Sequence, residues 1–301
     1  MYRYFLIVIV MGLAPLALYS QTPADGTRDL WDTAFIQKRP AGKKQVIKRA
    51  QPVRYKMVSK GTQPASDVSS SSVVGVTVWR LRPSKKTDDE SVRQLVHEQG
   101  EWTPERVTAG APLTEGSRVQ LTIESPRTGY LYVFDREVYA DKTYGEPYLI
   151  FPTLGLNDGD NKVGAGRVVE IPSSGDKPPY YTLKRSRSDH DGEALTVIVS
   201  DKPLPGLTIG RSALKISSDQ FATYEKQWGA MTQQLELDKG AGTAMSKAEK
   251  AAATGQGSLT QDDSMPQTIY RVVTKPDQPL LITIPLSIST KPDKATQAPG
   301  S

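Results

Sequence analysis

The chain has 301 residues, no cysteine, and 38 Lys+Arg against 33 Asp+Glu, a formal charge of +5. That length allows one large domain or two ordinary ones. The missing cysteine excludes disulfide scaffolds, thiolate zinc sites, iron–sulfur clusters, cysteine nucleophiles and lipoprotein acylation.

Residues 1–20 place Arg3 before an uncharged apolar run, Phe5 to Tyr19, with small Ser20 ahead of Gln21-Thr22-Pro23. This is the pattern of a Sec-type signal peptide cleaved after Ser20, so an extracytoplasmic protein is expected, periplasmic or secreted. The alternative is an uncleaved N-terminal membrane anchor, although the run is shorter than the roughly 20 residues of a comfortable span.

Residues 21–72 read as a basic, disordered linker. From Thr33 to Ser66 there is no acidic residue and there are nine basic ones, including Lys38, Arg39, Lys43 and Lys44. The stretch has no apolar period and is broken by Pro40, Pro52 and Pro64, so it buries too little to offset ordering entropy. Such a segment suits contact with an anionic polymer or lipid surface. Setting aside Arg3 and these nine leaves 28 basic against the 33 acidic residues, so the remainder is mildly acidic. No specific nucleic-acid partner is expected from that balance.

A β-domain is expected over 73–290. Val73–Leu81 is rich in β-branched residues and reads as a strand. Val92, Leu95 and Val96 suggest a short helix over Asp88–Gln99. Val119, Leu121 and Ile123 alternate with polar residues, and Tyr130–Phe134 follows a turn at Pro126–Gly129, so a hairpin is expected. Tyr148–Phe151, Arg167–Ile171, Tyr180–Leu183 and Ala194–Ser200 continue the series. One amphipathic helix starts at a Ser218 cap, with Phe221, Tyr224, Trp228 and Met231 on one face. Residues 233–263 hold few large apolar groups and read as a mobile, disordered insertion. In Leu280–Leu286, Pro285 cannot donate to a ladder, so that strand should lie at an edge or leave the sheet there. Residues 291–301 read as a loose tail. Many short strands without interleaved long helices give a mostly β fold: an antiparallel β-sandwich, Ig-like or jelly-roll-like.

The block Leu113–Ser125 with Gly129-Tyr-Leu-Tyr-Val-Phe134, then Leu149-Ile-Phe-Pro152, Asn161-Lys-Val163 and Ile171-Pro172, resembles the bacterial family Domain of Unknown Function 4384. The match covers about residues 113–200, and Ser117 stands where members usually carry Asp. The resemblance implies a non-catalytic, extracytoplasmic β-domain and no established activity.

Chemistry-bearing motifs are few. There is no P-loop, no GxGxxG after a strand, no HExxH and no GxSxG elbow. Only two histidines occur, His97 and His190, and His190 in Ser188–Gly192 reads as a polar surface turn. Asp135, Glu137 and Asp141 follow the Tyr130–Phe134 strand, with Tyr132, Tyr139 and Tyr144 beside them. Acids and tyrosines together suit ligand binding, carbohydrate included; two carboxyls flanking a sugar would suit a polysaccharide hydrolase. Asp158, Asp160 and Asn161 offer alternating oxygens of the kind calcium takes. The same residues beside Gly159 suit a tight turn, and the EF-hand pattern is not met. The reading is therefore a non-catalytic interaction module without a cofactor, its partner an envelope protein or polysaccharide.

Overall fold

The computed structural model describes residues 36–42, 55–59, 70–96, 100–230, 232–275 and 277–289. The signal peptide, His97, Met231, the tail 291–301 and most of the basic segment lie outside these residues. Among them, β1 (Tyr55–Ser59), β2 (Ser70–Pro83), β3 (Gln94–Val96), β4 (Gly100–Val107), β6 (Arg118–Glu124), β10 (Val168–Ile171), β11 (Tyr181–Thr182), β14 (Thr232–Leu237) and β15 (Thr268–Thr274) form a nine-stranded sheet. A seven-stranded sheet holds β5 (Pro112–Thr114), β7 (Gly129–Tyr139), β8 (Tyr148–Phe151), β9 (Lys162–Val163), β12 (His190–Ser200), β13 (Leu214–Lys215) and β16 (Leu280–Ser289). Pairing is antiparallel except for β16 with β5.

The two sheets face each other as a β-sandwich, as the strand pattern predicted. Val74, Val76, Val78, Val119, Leu121 and Ile123 pack from the first sheet against Leu131, Val133, Leu195, Val197 and Ile282 of the second. Alternation along each strand sends these residues to one face, which is why the period of two in the sequence reads directly as core. No helix among the described residues is long and apolar enough to cross a membrane.

Several expectations need correction. The hairpin expected at Pro126–Gly129 is an arch: β6 pairs β2, β10 and β11, whereas β7 pairs β8, β9 and β12. The turn carries the chain from one sheet to the other, and both strands then aim their apolar faces at the same core. Of the helix expected over Asp88–Gln99, the described residues 88–96 hold instead a 3-10 turn at Glu90–Val92, capped by Asp89, then β3. Its apolar residues are too few to bury a helical face. β16 is not an edge strand, since β12 and β5 flank it; Pro285 itself lies opposite Ala194, two residues before β5 joins at Ser287.

The helix α1 (Ser218–Trp228) forms with its cap at Ser217, not Ser218; the Ser217 hydroxyl accepts from the Gln220 amide. Phe221 and Tyr224 pack on the outer face of the second sheet against Tyr132, Phe134 and Ile198. Trp228 stacks on Tyr224 with ring centroids 4.7 Å apart.

The insertion expected to be mobile is ordered. It carries β14, which pairs with β1 and β15, and a second helix, α2 (Lys247–Ala253). Ser246 and Glu249 form a reciprocal capping box at its start. Glu249 also binds Arg106, whose guanidinium lies over the fully buried Trp79 ring. The stretch is ordered by pairing, by a buried ion pair and by the burial of Leu235, Met245 and Leu259.

The expected linker is likewise structured in part. Ile36 packs on the first sheet, and β1 is that sheet's strand beside β14. The Arg39 side chain is fully buried and forks onto Glu124 with bonds of 2.8 and 2.6 Å. The carbonyls of Thr260, Asp263 and Ser264 complete its socket. Burial outweighs Arg39 and holds the Glu124 carboxyl above its ordinary range.

Close backbone approach is required at Gly192, where a Cβ would lie 2.2 Å from the Leu286 carbonyl oxygen. Gly192→Ala is expected to push β12 from β16 and to lower stability by about 1–3 kcal/mol, measurable by urea denaturation.

Candidate functional site

Strand alternation divides the six acidic and tyrosine residues. Asp135, Glu137 and Tyr139 continue the inward-facing series of Leu131 and Val133. Tyr132 belongs to the opposite face, where it is core: its hydroxyl accepts from the Leu204 amide at 3.0 Å. Tyr144 is exposed, with the Arg136 guanidinium 4.3 Å above its ring. Asp141 closes the intervening turn by accepting from the Thr143 amide and hydroxyl. The six do not converge on one pocket.

A different cluster forms instead. In the β7–β12 register Glu193 lies opposite Glu137, and Leu195 opposite Asp135. His190, at the start of β12, is buried and is not a surface turn. The Ser186 amide donates to its Nδ1 at 3.1 Å, which leaves the ring proton on Nε2. That nitrogen lies 2.9 Å from the Gly192 carbonyl and 3.2 Å from Glu193. Glu137 accepts from the Tyr139 hydroxyl and the Ser186 hydroxyl, both at 2.8 Å. The Arg187 guanidinium covers the Tyr139 ring at 3.8 Å.

Asp135 and Glu193 touch. Burial, then repulsion from Asp135 and Glu137, pushes Glu193 up to about 9. Burial lifts Asp135 to about 6, against the hydrogen bond that Glu193 supplies. Asp135 Oδ1 and Glu193 Oε2 are sealed from water, and no other donor of the described residues reaches them. The two carboxyls therefore titrate as a pair, with the proton retained there to higher pH than on a free carboxyl. Glycosidase carboxyls stand about 5 Å or 6.5–9.5 Å apart to flank a sugar; a pair in hydrogen-bond contact has no room for one between them. Glu193 and His190 were missed in the sequence, yet Glu193 shares parity with Leu195, Val197 and Val199. An acid on an apolar strand face was the available signal.

Around Asn157–Asn161 the side chains act on the backbone. Asn161 donates to the Leu131 carbonyl at 3.0 Å and so fixes β9 beside β7. Asp160 accepts from the Lys162 amide, and Asp158 occupies the left-handed region at φ 51°. These are the contacts of a tight turn. Among the described residues no group of three or more His, Asp or Glu is placed to hold a metal ion.

A second feature lies at the far end of the first sheet. Arg80–Pro83 of β2, Trp102 of β4 and Gly116–Arg118 at the start of β6 line a cleft of about 180 Å³. Arg82 forks onto Asp88 at 2.7 and 2.9 Å, and its Nε reaches Glu105 at 2.7 Å. Arg80 holds the other Glu105 oxygen at 2.8 Å. The Arg82 fork keeps Asp88 well below the usual carboxylate range. Arg118 lies 4.5 Å from the Trp102 ring and 5.1 Å from that of Tyr180. Trp102 is therefore a half-exposed ring under a guanidinium, while Trp79 is core.

Comparison with family models, with curated proteins and with solved structures gave no match.

Proposed function

We propose that the chain is an exported, non-catalytic binding module of the cell envelope. One observation carries the preference for binding over hydrolysis: the strand carboxyls are buried or already engaged by groups of the fold itself. Burial holds the Glu193 and Asp135 carboxyls above their ordinary range, and Glu137 is taken by Tyr139 and Ser186. A catalytic pair would instead present its oxygens to a substrate. The resemblance over residues 113–200 to a family of non-catalytic extracytoplasmic domains points the same way, and the signal-peptide pattern of residues 1–20 supplies the address. Basic residues on both sides of β1 favour an anionic envelope polymer as the partner.

Co-sedimentation of the full mature chain with purified cell-wall sacculi tests this reading. Saturable binding, weaker at high salt and without release of reducing ends, is expected. Release of reducing ends that Asp135→Ala with Glu137→Ala abolishes would replace binding by hydrolysis.

A further inference from the structure

We propose that Glu124 and the turn at residues 260–264 form a recognition site for an arginine-bearing peptide segment. The chain's own residues 36–42 are its resting occupant, and the same segment of a second copy replaces them by exchange. The proposal goes beyond the polymer-binding reading and does not depend on it.

Residues 36–42 are held as a ligand is. Only Arg39 among them is buried, while Gln37, Lys38, Pro40 and Ala41 are exposed. The Gln261 amide donates to the Pro40 carbonyl at 3.0 Å, and the Gln261 side chain donates to the Arg39 carbonyl at 3.2 Å. An extended peptide is read in this way, by main-chain bonds for affinity and a side-chain pocket for specificity. The pocket's chemistry selects a guanidinium. The two Glu124 oxygens take Nε and Nη2, and the carbonyls of Thr260, Asp263 and Ser264 surround Nη1 at 3.4, 3.4 and 3.3 Å. A planar fork with further donors fits that set, whereas a lysine ammonium is a single point charge.

The walls of the site are built without its occupant. Gly75 stands opposite Glu124 in the β2–β6 register, and its missing side chain lets Pro266 close down there, where a Cβ would meet that ring at 2.8 Å. Asp263 accepts from the Thr260 amide at 2.6 Å and from the Thr260 hydroxyl at 2.7 Å, which fixes the turn. Arg106 holds the next carbonyl along, that of Met265, at 2.7 Å. None of these bonds involves residues 36–42, so the acceptors stand preorganised for an arginine that arrives from elsewhere. Exchange between copies follows from the tether. Residues 43–54 join the segment to β1. Fully extended, such a stretch reaches at most about 40 Å, which includes a socket on an adjoining copy. The chain's own segment competes at a local concentration on the order of millimolar, so exchange is expected where copies are crowded.

A full chain with a protease site built into residues 45–50, cut after folding, keeps both Arg39 and Glu124 and provides the test. The freed arm should stay bound through gel filtration. A synthetic peptide of residues 36–42 should displace it, and the Arg39→Lys version of that peptide should do so about tenfold less well or worse. An arm lost on cutting, an arm that no peptide displaces, or equal displacement by both peptides overturns the site. Intact donor chains should displace the freed arm as well. The Glu124→Gln chain, whose own socket is impaired, should do so readily, and wild type only at roughly millimolar concentration. A one-to-one complex of cut and donor chains in native mass spectrometry is the expected result. No complex with either donor overturns the second copy as the source of the segment.

Discussion

Arg39→Met should cost about 3–5 kcal/mol of unfolding free energy, the range for removing one partner of a buried ion pair. The loss arises less from the attraction forgone than from what remains. Glu124 would be left buried without its cation, and its carboxyl already lies above the ordinary range because of burial. The three carbonyls that receive the guanidinium would also lose a donor. Arg39→Met combined with Glu124→Leu should recover much of the loss, since an apolar pair needs no compensation. Urea denaturation of the full chain and both variants decides the matter. A single variant within about 0.5 kcal/mol of wild type would mean that the arm carrying Arg39 adds nothing to the fold.

Stability should fall as pH rises from about 4.5 toward 9, and Glu193→Gln should flatten that fall. Glu193 is raised from its ordinary 4.5 to about 9, so across this window the folded chain holds a proton that the unfolded chain has lost. Unfolding therefore releases a proton, and the stabilisation present at low pH is lost as pH climbs, by at most about 1.4 kcal/mol per unit. Asp135, raised to about 6, adds to the slope at the acidic end. The groups facing the pair are Glu137 and Tyr139 from β7, His190 from β12, Tyr181 from β11, and Arg187 from the loop before β12. Glu137 repels it; Tyr181 is itself held above its usual range by burial and then by Asp135. Asp88, lowered by Arg82, contributes in the opposite sense but only at pH below the ordinary carboxylate range. Chemical denaturation at pH 5, 7 and 9 gives the slope. The same slope in wild type and Glu193→Gln would exclude a proton shared at this pair.

The elements that read correctly carried their signal locally. Val119, Leu121 and Ile123 alternate and lie on the core face of β6. Phe221, Tyr224 and Trp228 recur at helical spacing and face the second sheet. Apolar periodicity survives into the structure because burial of that one face drives the packing. The helix α2 was legible as well: Ser246-Lys-Ala-Glu249 before an alanine run is a capping-box signature. It was obscured by the shortage of large apolar groups in 233–263. The hairpin expectation failed for another reason. A four-residue turn between two apolar strands joins neighbours in one sheet or arches between two, and periodicity is the same in both.

The candidate sites show the same division. Residue types and parities were open to reading: a domain free of cysteine, acidic once its basic N-terminal stretch is removed, with Asp135 and Glu137 on one strand face and Tyr132 on the other. Strand order was not. Whether Glu193 comes to lie against Asp135, whether Arg39 reaches Glu124 across 85 positions, and whether Arg80, Trp102 and Arg118 close around one cleft all depend on which strands become neighbours. Those contacts are chosen by the packing of two whole sheets. Their charged members follow the apolar faces into place, so no local pattern in the chain announces them.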